Sequence, residues 1–457
     1  MKMSLIGLDI GTTTICGVLF SLKEKRAIKT LSLNNHFIES EIPGEYIQDP
    51  QRIYLDIKAI LDELIDFSEQ KIEALSLSAQ MHGILYVNDE GDPVSPFYTW
   101  QNQRGLRQKQ GQMLNEIVSE KLGYQVHSGY GIVTHYSLLQ DDEVPKGAAK
   151  FCNIGDYIGM RLAGASTPVT DISLGGSMGL VDLQQGTLAG TLKNLPLLDE
   201  EILPALVSST ELLGHYKGIP VIQALGDNQA SFLGSVIEKE TSLLLNYGTS
   251  GQVSFYRKEF AQYPHFETRA LGNEGYIHVA FSLCGGHSYK ILAGFFNSVT
   301  ELFSAGKPQN ILKIMDDLDL DFTTKDMDCL PLFLGERGEE KQLAYFKNIR
   351  DINFTPANMI KALVQGMIQE LFRFYDELPM DVKSGMKTLV GAGNGIRKNR
   401  HLIKAAEWTY KKPLVLLKNS EESCLGALIN AGKAVGIFKD YSEGARAIVE
   451  YMSQGLS

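Results

Sequence analysis

Apolar positions alternate every two residues in some segments of this chain and recur every 3.6 residues in others, as expected for strands and helices. The predicted strands and helices occur twice in the same order. Residues 4–20 and 242–255 each contain a β-rich apolar run, a polar Gly-Thr turn and a second β-rich run. Such a pattern predicts two β-hairpins whose turns are tight and rich in glycine and threonine.

Each predicted hairpin is followed by an amphipathic helix that begins at a proline. Asp49-Pro50 and Thr355-Pro356 both place a capping residue before a proline at the first helical position. Apolar residues then recur with the period of a helix that buries one face. They are Ile53, Ile57, Ile60, Leu61 and Leu64 in the first helix, and Ile360, Val364, Met367, Ile368 and Leu371 in the second.

Two further pairs of elements continue the repeat. Residues 74–83 and 388–395 each read as a short strand that ends in a glycine-containing loop. Residues 228–238 and 422–436 each read as a helix rich in small residues. Four matched elements in one order favour a duplicated fold, although pieces of this kind also occur in α/β proteins without duplication.

The repeat predicts two similar α/β domains, at residues 1–240 and 241–457. Residues 84–220 and 256–354 would then be insertions peculiar to each half. With 457 residues, of which 44% are hydrophobic and 21% charged, the chain is long enough to form two large cores.

Charge and cysteine usage narrow the choice of partners. The formal net charge is −11 and no block of Lys and Arg occurs, which argues against nucleic acid or an anionic membrane as a partner. Five cysteines are scattered singly, as in a reduced cytosolic protein without a disulfide framework or a zinc site. Neither a signal peptide nor a long apolar span is visible, so we expect a soluble cytoplasmic protein.

The glycine turns are candidate phosphate-binding elements. Gly11-Thr12-Thr13 and Gly248-Thr249-Ser250 join strand to strand. This context differs from the strand-to-helix context of dinucleotide-binding and P-loop motifs. Backbone N–H groups and hydroxyls of two facing turns suit a polyphosphate, and Asp9 would emerge close enough to reach a magnesium ion or its waters. The alternative is that both segments are simple hairpin turns.

A third glycine loop, Gly391-Ala392-Gly393-Asn394-Gly395, follows a strand and has almost no side chain. Such a loop would let a base or ribose lie against the backbone. Alternatively, its glycines serve only to permit positive φ angles.

The motifs D-I-G-T-T (9–13), G-D-N-Q-A (226–230), N-Y-G-T-S (246–250) and G-A-G-N-G (391–395) occur in this order over nearly the whole chain. The set resembles the FGGY carbohydrate kinases of the actin, hexokinase and heat-shock ATPase superfamily. The resemblance implies an α/β fold of two ribonuclease-H-like (actin-type) domains, with a nucleotide and sugar cleft between them.

Within that family, the chain looks most like sedoheptulokinase-type members, with xylulokinases next. The segments that carry this likeness are Q-M-H-G (80–83), T-W-Q-N-Q-R (99–104), H-S-G-Y-G (127–131), D-Y-x-x-x-x-L-x-G (156–164) and L-G-D-N-Q-A-S (225–231). There are also departures. The four letters of the family name are absent, Asn102 replaces the acid of a W-x-D-x-R pattern, and residues 134–140 lack a lysine common in the family.

By this resemblance, Asp227 is the catalytic base that takes the proton of the acceptor hydroxyl. The alternative for Asp227 is a capping role at the helix that follows it. The resemblance also implies that Asp9 organises Mg²⁺ through water. Gly11, Thr12, Thr13, Gly248, Thr249 and Ser250 would bind the phosphates of ATP, and Gly391, Gly393 and Asn394 would line the nucleoside.

Sugar contacts are expected from a mixture of polar and aromatic residues, mostly in the N-terminal insertion. The candidates are Gln80, Met81, His82, Trp100, Arg104, Asp171 and Asn228. Several have structural alternatives: a hydrogen-bonded scaffold role for His82, a core position for Trp100, an ion pair for Arg104, and a cap or turn for Asp171.

Gly234 and Gly426 occupy matching places in the small-residue helices and would allow these helices to pack closely, either as a hinge or as plain tight packing. The expected activity is ATP-dependent phosphorylation of a ketose, with sedoheptulose 7-phosphate as the expected product. Xylulokinase, another FGGY sugar kinase, or an actin-like ATPase switch without a sugar substrate are the alternatives. A monomer or a homodimer is expected.

Overall fold

The computed structural model describes residues 3–109, 111–303, 310–324, 327–335 and 343–452. Within these residues the strands, numbered in chain order, are β1 (Met3–Ile10), β2 (Thr14–Ser21), β3 (Arg26–Asn34), β4 (Phe37–Ile38), β5 (Ile47–Gln48), β6 (Lys71–Ala79), β7 (Leu85–Val87), β8 (Phe97–Tyr98), β9 (Gln108–Lys109), β10 (Gln112–Met113), β11 (Lys150–Cys152), β12 (Val169–Asp171), β13 (Val181–Asp182), β14 (Thr187–Leu188), β15 (Ala205–Val207), β16 (Leu212–Tyr216), β17 (Ile219–Gly226), β18 (Ser242–Tyr247), β19 (Gly251–Arg257), β20 (Glu267–Ala270), β21 (Tyr276–Ser282), β22 (Asp328–Leu330), β23 (Tyr345–Lys347), β24 (Thr388–Ala392) and β25 (Leu414–Leu416).

The α-helices of the same residues are α1 (Pro50–Phe67), α2 (Leu114–Leu122), α3 (Gly131–Gln140), α4 (Ile154–Ala163), α5 (Ile172–Ser177), α6 (Asp227–Leu233), α7 (Gly286–Phe303), α8 (Ile311–Asp317), α9 (Pro356–Asp376), α10 (Met380–Gly385), α11 (Asn394–Lys398), α12 (Arg400–Tyr410), α13 (Glu422–Ala434) and α14 (Tyr441–Ile448).

Two large mixed sheets organise the described residues, and they have matching topologies. The first has the strand order β16-β17-β6-β1-β2-β3, and the second has the order β20-β21-β19-β18-β24-β25. In each, a central hairpin (β1/β2 or β18/β19) pairs on one side with a parallel strand (β6 or β24). These matching sheets confirm the predicted α/β fold with two sheet-containing domains. The boundary at residue 240 stays a prediction.

The two proline-started helices form as predicted. Asp49 caps α1 by accepting hydrogen bonds from the backbone N–H groups of Gln51 and Arg52, and Thr355 caps α9 by accepting one from Asn358. All ten predicted apolar positions are buried. The 3.6-residue period identified them because each helix lies against one face of a sheet.

The predicted insertions were drawn too broadly. Helix α4 and strand β16 lie within residues 84–220, yet β16 is an edge strand of the first sheet and α4 packs on the strands beside it. Likewise β20 and β21, within residues 256–354, belong to the second sheet. These strands have no counterpart in the sequence repeat, so sequence comparison of the two halves could not place them.

The small-residue helices meet at the centre of the molecule. Helix α6 ends at Leu233, five residues before its predicted end, and Gly234 forms its C-cap, since glycine is unfavourable inside a helix. Helix α13, near the end of the chain, packs against β1 and β6 of the first sheet. One hydrophobic cluster accordingly includes Leu5 of the first sheet, Leu244 of the second, Phe232 of α6 and Leu428 of α13.

Glycine permits this crossing of α6 and α13. A Cβ atom at Gly426 would lie 1.9 Å from the carbonyl oxygen of Ala230, and one at Gly234 would lie 1.9 Å from that of Glu422. The predicted close packing of the two helices is therefore confirmed, whereas their action as a hinge stays a prediction. No helix of the described residues is long and apolar enough to cross a membrane.

We predict that Gly426→Ala destabilises the folded protein by about 2–3 kcal/mol, because the added methyl group overlaps a backbone oxygen that cannot move alone. Urea denaturation followed by circular dichroism measures the change. Gly190→Ala is the matched control, since nothing lies within 4 Å of a Cβ at that position. It should alter the stability by less than about 0.5 kcal/mol. Equal stability of the two variants would contradict the crossing.

Candidate active site

The first Gly-Thr turn is held from outside by amide side chains. Its backbone closes through a 2.9 Å hydrogen bond from the Gly11 N–H to the Thr14 carbonyl. Asn35 donates to the carbonyl of Gly11 at 2.9 Å, and Gln48 donates to that of Thr12 at 2.8 Å. The carbonyls are thus tied to the scaffold, and the exposed side chain of Thr13 lies at the surface of the turn.

Two residues expected at the sugar form hydrogen bonds to this turn, and their contact with a sugar stays a prediction. The indole N–H of Trp100 donates to the hydroxyl of Thr12 at 2.9 Å, and 44% of Trp100 is exposed, so it is not a core residue. Gln80 is fully buried, accepts from the Thr12 hydroxyl at 3.3 Å and donates to Gln48 at 2.8 Å. These contacts give Gln80 a role in fixing the turn.

The second turn is supported by the start of α7. The N–H of Gly248 donates to the Ser250 carbonyl at 3.0 Å, and the N–H of Gly286 donates to the Gly248 carbonyl at 2.9 Å. Gly248 and Thr249 are exposed. Sequence reasoning missed the supporting Gly285-Gly286 pair, whose signal is a Gly-Gly step between a strand and a helix.

Aspartates lie at the ends of two strands of the first sheet that flank β6. Asp9 is near the end of β1, and Asp227 directly follows β17. Burial raises the pKa of Asp9 to about 7, against a hydrogen bond from Ser78 that lowers it, while the charges of Asp227, Glu421 and Glu422 raise it further.

Asp227 is the first residue of α6, not its cap. Gly226 is the N-cap and makes no side-chain capping bond, so the capping alternative for Asp227 is wrong. Burial raises the pKa of Asp227 to about 6, while the Arg269 guanidinium and the N–H of Asn228 lower it. Ser423 of α13 lies 3.5 Å from the Asp227 carbonyl oxygen, so the helix crossing also reaches this residue.

The surroundings of Asp9 fit a hydrated divalent cation. Its Oδ1 atom is buried and has no hydrogen-bond partner. A cation would relieve the mutual repulsion of the carboxylates that raises the pKa of Asp9. Among the described residues, no group of three or more His, Cys, Asp and Glu side chains could enclose a metal. Contact of Asp9 with Mg²⁺ through water stays a prediction.

The third glycine loop is shaped by close backbone contacts. Gly393 has a φ of +82°, and a Cβ there would lie 2.5 Å from the Asn246 side-chain oxygen, so glycine is required at this position. Asn394 begins α11 and is exposed. Gly391, however, is a buried residue of β24 that faces Leu414 and Leu416, and this packing does not favour its expected contact with a nucleoside.

A partly open pocket lies where residues of the two halves of the chain meet. Residues of the first half and of strand β20 both contribute to its wall. They are Met81, His82, Tyr130, Ile172, Ser173, Gly176, Ser177, Leu183, Gln229, Glu267, Thr268, Arg269 and Ala270. Met81 and His82 were predicted to contact a sugar.

His82 is held in a fixed orientation in this pocket. Its φ is +73°, an uncommon value for a residue with a side chain. Its N–H donates to the Ser177 hydroxyl at 3.1 Å, its Nδ1 lies 2.7 Å from the Ser177 carbonyl oxygen, and its ring stacks on Tyr130 at 4.5 Å. The scaffold role and a position in the pocket wall therefore coexist.

Two expected sugar contacts are occupied by the scaffold. Arg104 is 4% exposed and pairs with Glu45 at 2.9 Å and with Glu143 at 2.6 Å, which favours the ion-pair interpretation. Asp171 is fully buried and caps α5 through the N–H groups of Ser173 and Leu174, which favours the capping interpretation. Neither side chain lines the pocket.

Asn228 follows Asp227 and links the two sheets. Its amide donates to Gln252 of β19 at 3.2 Å, while its Oδ1 atom is buried without a partner. The unpartnered oxygen keeps Asn228 a candidate for contact with a ligand.

Comparison with known proteins identifies the family. Residues 4–234 match the model of the N-terminal domain of the FGGY family of carbohydrate kinases. The match covers half of the chain. The chain belongs to the FGGY family of carbohydrate kinases, which are phosphotransferases that use ATP.

The names of proteins related to this FGGY kinase specify different phosphate acceptors. It is 24% identical to a xylulose kinase of Lactococcus lactis, over 98% of this chain and 91% of the relative. It is 25% identical to a sedoheptulokinase of Mus musculus, over 93% of this chain and 96% of the relative. A crystal structure of Plasmodium falciparum glycerol kinase with ADP superposes with a TM-score of 0.82 at 17% identity, covering 99% of this chain and 93% of that one.

The sequence of this FGGY kinase did not reveal the contribution of β20 to the pocket. Glu267 and Arg269 lie in the C-terminal half, for which the sequence predicts only nucleotide binding. Sequence reasoning also missed Gln229, two residues after Asp227. The available signal was an alternation of charged and uncharged residues, Glu-Thr-Arg-Ala, in a short strand. That pattern is equally typical of a solvent-facing edge strand.

We predict that Asp9→Asn stabilises this FGGY kinase at pH 8 by about 2–3 kcal/mol when nucleotide and divalent cations are absent, because it removes a poorly compensated charge. The pKa of Asp9 is about 7 in the folded protein and 3.8 in its ordinary state. The gain should therefore be complete above pH 7 and shrink towards pH 4. Urea denaturation with a chelator present measures it.

Asp62→Asn is the control, because it should change the stability in the opposite direction. Burial opposes the charge of Asp62, but hydrogen bonds from Tyr216, Lys217 and Lys58 outweigh it and lower the pKa to about 2. This variant should lose stability at both pH 8 and pH 5, since the charged form of Asp62 stabilises the fold above pH 4. A loss of stability in Asp9→Asn at pH 8 would contradict the electrostatic description of Asp9.

Proposed function

We propose that this FGGY kinase transfers the γ-phosphate of ATP to a hydroxyl of a ketose, with sedoheptulose as acceptor and sedoheptulose 7-phosphate as product. The observation that carries the proposal is the position of Asp227. Asp227 lies in the first turn of α6, and its carboxylate interacts electrostatically with Arg269 in the wall of the pocket. The named activities of the relatives, xylulose kinase and sedoheptulokinase, support a ketose as acceptor.

Asp227 acts as the general base. Its pKa of about 6 leaves the carboxylate mostly ionised at neutral pH and makes it a stronger base than an ordinary aspartate. The acceptor hydroxyl gives its proton to this carboxylate as its oxygen attacks the γ-phosphorus. The bond from the γ-phosphorus to the oxygen that bridges the β- and γ-phosphates breaks, and ADP leaves with that oxygen. Little other covalent help is needed, because phosphoryl transfer depends mainly on positioning and charge stabilisation.

The two Gly-Thr turns hold the phosphates of the nucleotide. Their backbone N–H groups and the hydroxyls of Thr12, Thr13 and Thr249 are suitable donors to phosphate oxygens. The ADP-bound glycerol kinase that shares this fold supports a nucleotide site. Mg²⁺ would supply neutralisation of charge on the phosphates when bound, and Asp9 would hold it through water.

The crossing of α6 and α13 allows the two domains to close over the substrates. Each helix contacts the other through glycine, and their contact lies next to Asp227. Closure would exclude water from the site and so suppress hydrolysis of ATP. A cytoplasmic location and a monomeric or homodimeric state are further predictions.

A coupled assay of ADP production with a panel of acceptors tests the function. We predict that sedoheptulose, xylulose, ribulose or fructose stimulates ADP production in the presence of ATP and Mg²⁺, with sedoheptulose giving the highest kcat/KM. A higher kcat/KM for xylulose would make this a xylulokinase. ADP production that no sugar stimulates would overturn the proposal and favour an ATPase switch.

We predict that Asp227→Asn lowers kcat by at least about a thousandfold, because the amide cannot accept the proton. Its Kd for ATP, measured by isothermal titration, should change less than about threefold. Asp89→Asn, which makes the same change at an exposed aspartate between β7 and β8, is the matched control and should keep normal turnover. A kcat for Asp227→Asn close to that of the original enzyme would remove Asp227 from the role of base.

A further inference from the structure

The pocket wall that includes His82 also carries an ion pair that no catalytic role uses. Strand β20 pairs with β21 in antiparallel register, with Glu267 opposite Val279 and Arg269 opposite Ile277. Residues two apart in a strand lie on the same face. Glu267 and Arg269 therefore project together, and the Thr268 hydroxyl between them donates to the Ala261 carbonyl at 2.8 Å.

Arg269 is held rigidly in this position. Its Nη2 atom donates to Glu267 at 2.7 Å, its Nη1 lies 3.5 Å from the sulfur of Met81, and its guanidinium carbon is 5.1 Å from the Phe281 ring centroid. Only 11% of the Arg269 side chain is exposed. Because a buried guanidinium keeps its geometry when its partners are fixed, the pair presents N–H donors next to carboxylate oxygens.

A histidine from the first half of the chain lies close to Glu267. The Nε2 atom of His127 lies 3.7 Å from Glu267 Oε1, while Oε2 accepts from Arg269. His127 packs edge-on against Tyr130, which stacks on His82. The pair is therefore part of the same wall as the two residues predicted to contact sugar.

Charge in the pocket disfavours an anionic substrate. Glu267 already compensates Arg269, and Asp227 adds a negative charge close enough for Arg269 to lower its pKa. A carboxylate brought here would lose its hydration without gaining an uncompensated cation, which is costly. An uncharged polyhydroxylated molecule has no charge to desolvate. Each of its diols can both donate a hydrogen bond to Glu267 and accept one from Arg269.

We propose that the Glu267–Arg269 pair is a specificity element that binds the hydroxyls of an uncharged polyhydroxylated acceptor and rejects sugar acids. This inference rests on the proposed function, because it concerns the acceptor of the same reaction. It assigns part of the acceptor recognition to the C-terminal half of the chain.

The test compares kcat/KM for the preferred ketose with that for D-gluconate, an aldonate. The original enzyme should favour the ketose by at least about a hundredfold, since a buried charge without a partner is rejected strongly. In Glu267→Gln, the gluconate-to-ketose ratio should rise about tenfold, because Arg269 is then free to pair with a carboxylate. Glu24→Gln, at an exposed ion pair in the β2–β3 turn, should leave the ratio unchanged.

Arg269→Lys provides a second measurement if Glu267→Gln does not fold, as judged by its melting temperature. It keeps the positive charge near Asp227 but loses the planar set of donors. We expect the KM for the ketose to rise about tenfold and kcat to change less than about twofold.

The outcomes separate the two proposals. Turnover of a ketose with an unchanged gluconate-to-ketose ratio in Glu267→Gln, or with an unchanged KM in Arg269→Lys, would overturn the role of the pair and leave the kinase function standing. An original enzyme that prefers gluconate would also overturn it. Failure of every sugar to stimulate ADP production would overturn the proposed function itself.

Discussion

The contact between α6 and α13 is the constraint on which the rest of the structure depends. Two helix backbones approach each other at glycine on both sides, and neither position has room for a Cβ atom. Through this contact, apolar residues of both sheets join one buried cluster. The contact also extends to the first turn of α6, where Ser423 of α13 lies 3.5 Å from the Asp227 carbonyl oxygen.

Around that crossing, the fold concentrates negative charge that it does not fully compensate. Asp9 and Asp227 lie at strand ends of the first sheet, and Glu421 and Glu422 come from the N-terminal end of α13. The pKa values of Asp9 and Asp227 are raised, mainly by burial. Such an arrangement costs stability in the unliganded protein, and a cation with its nucleotide would relieve it. The charge distribution is thus better explained by a ligand than by folding.

Polar residues divide between supporting the site and lining it. Gln80, Asp171 and Arg104 looked like sugar ligands in the sequence, but their polar atoms are used by the Thr12 turn, the α5 cap and two glutamates. Met81 and His82, next in the chain to Gln80, do line the pocket. Sequence motifs locate the segment that forms a site, but adjacent residues of a strand end point in different directions, so the role of each is not readable from the motif.

The sequence by itself determined the hairpins, the proline-started helices, the presence of two similar α/β halves and the position of Asp227 at the start of a small-residue helix. All of these depend on local periodicity, capping and turn chemistry, which act over a few neighbouring residues. Only the tertiary structure decided that α13 packs on the first sheet and that β20 brings Glu267 and Arg269 to the pocket. These contacts join residues almost two hundred positions or more apart in the chain, such as Met81 and Arg269. Their proximity depends on how the two sheets pack, which no local pattern records.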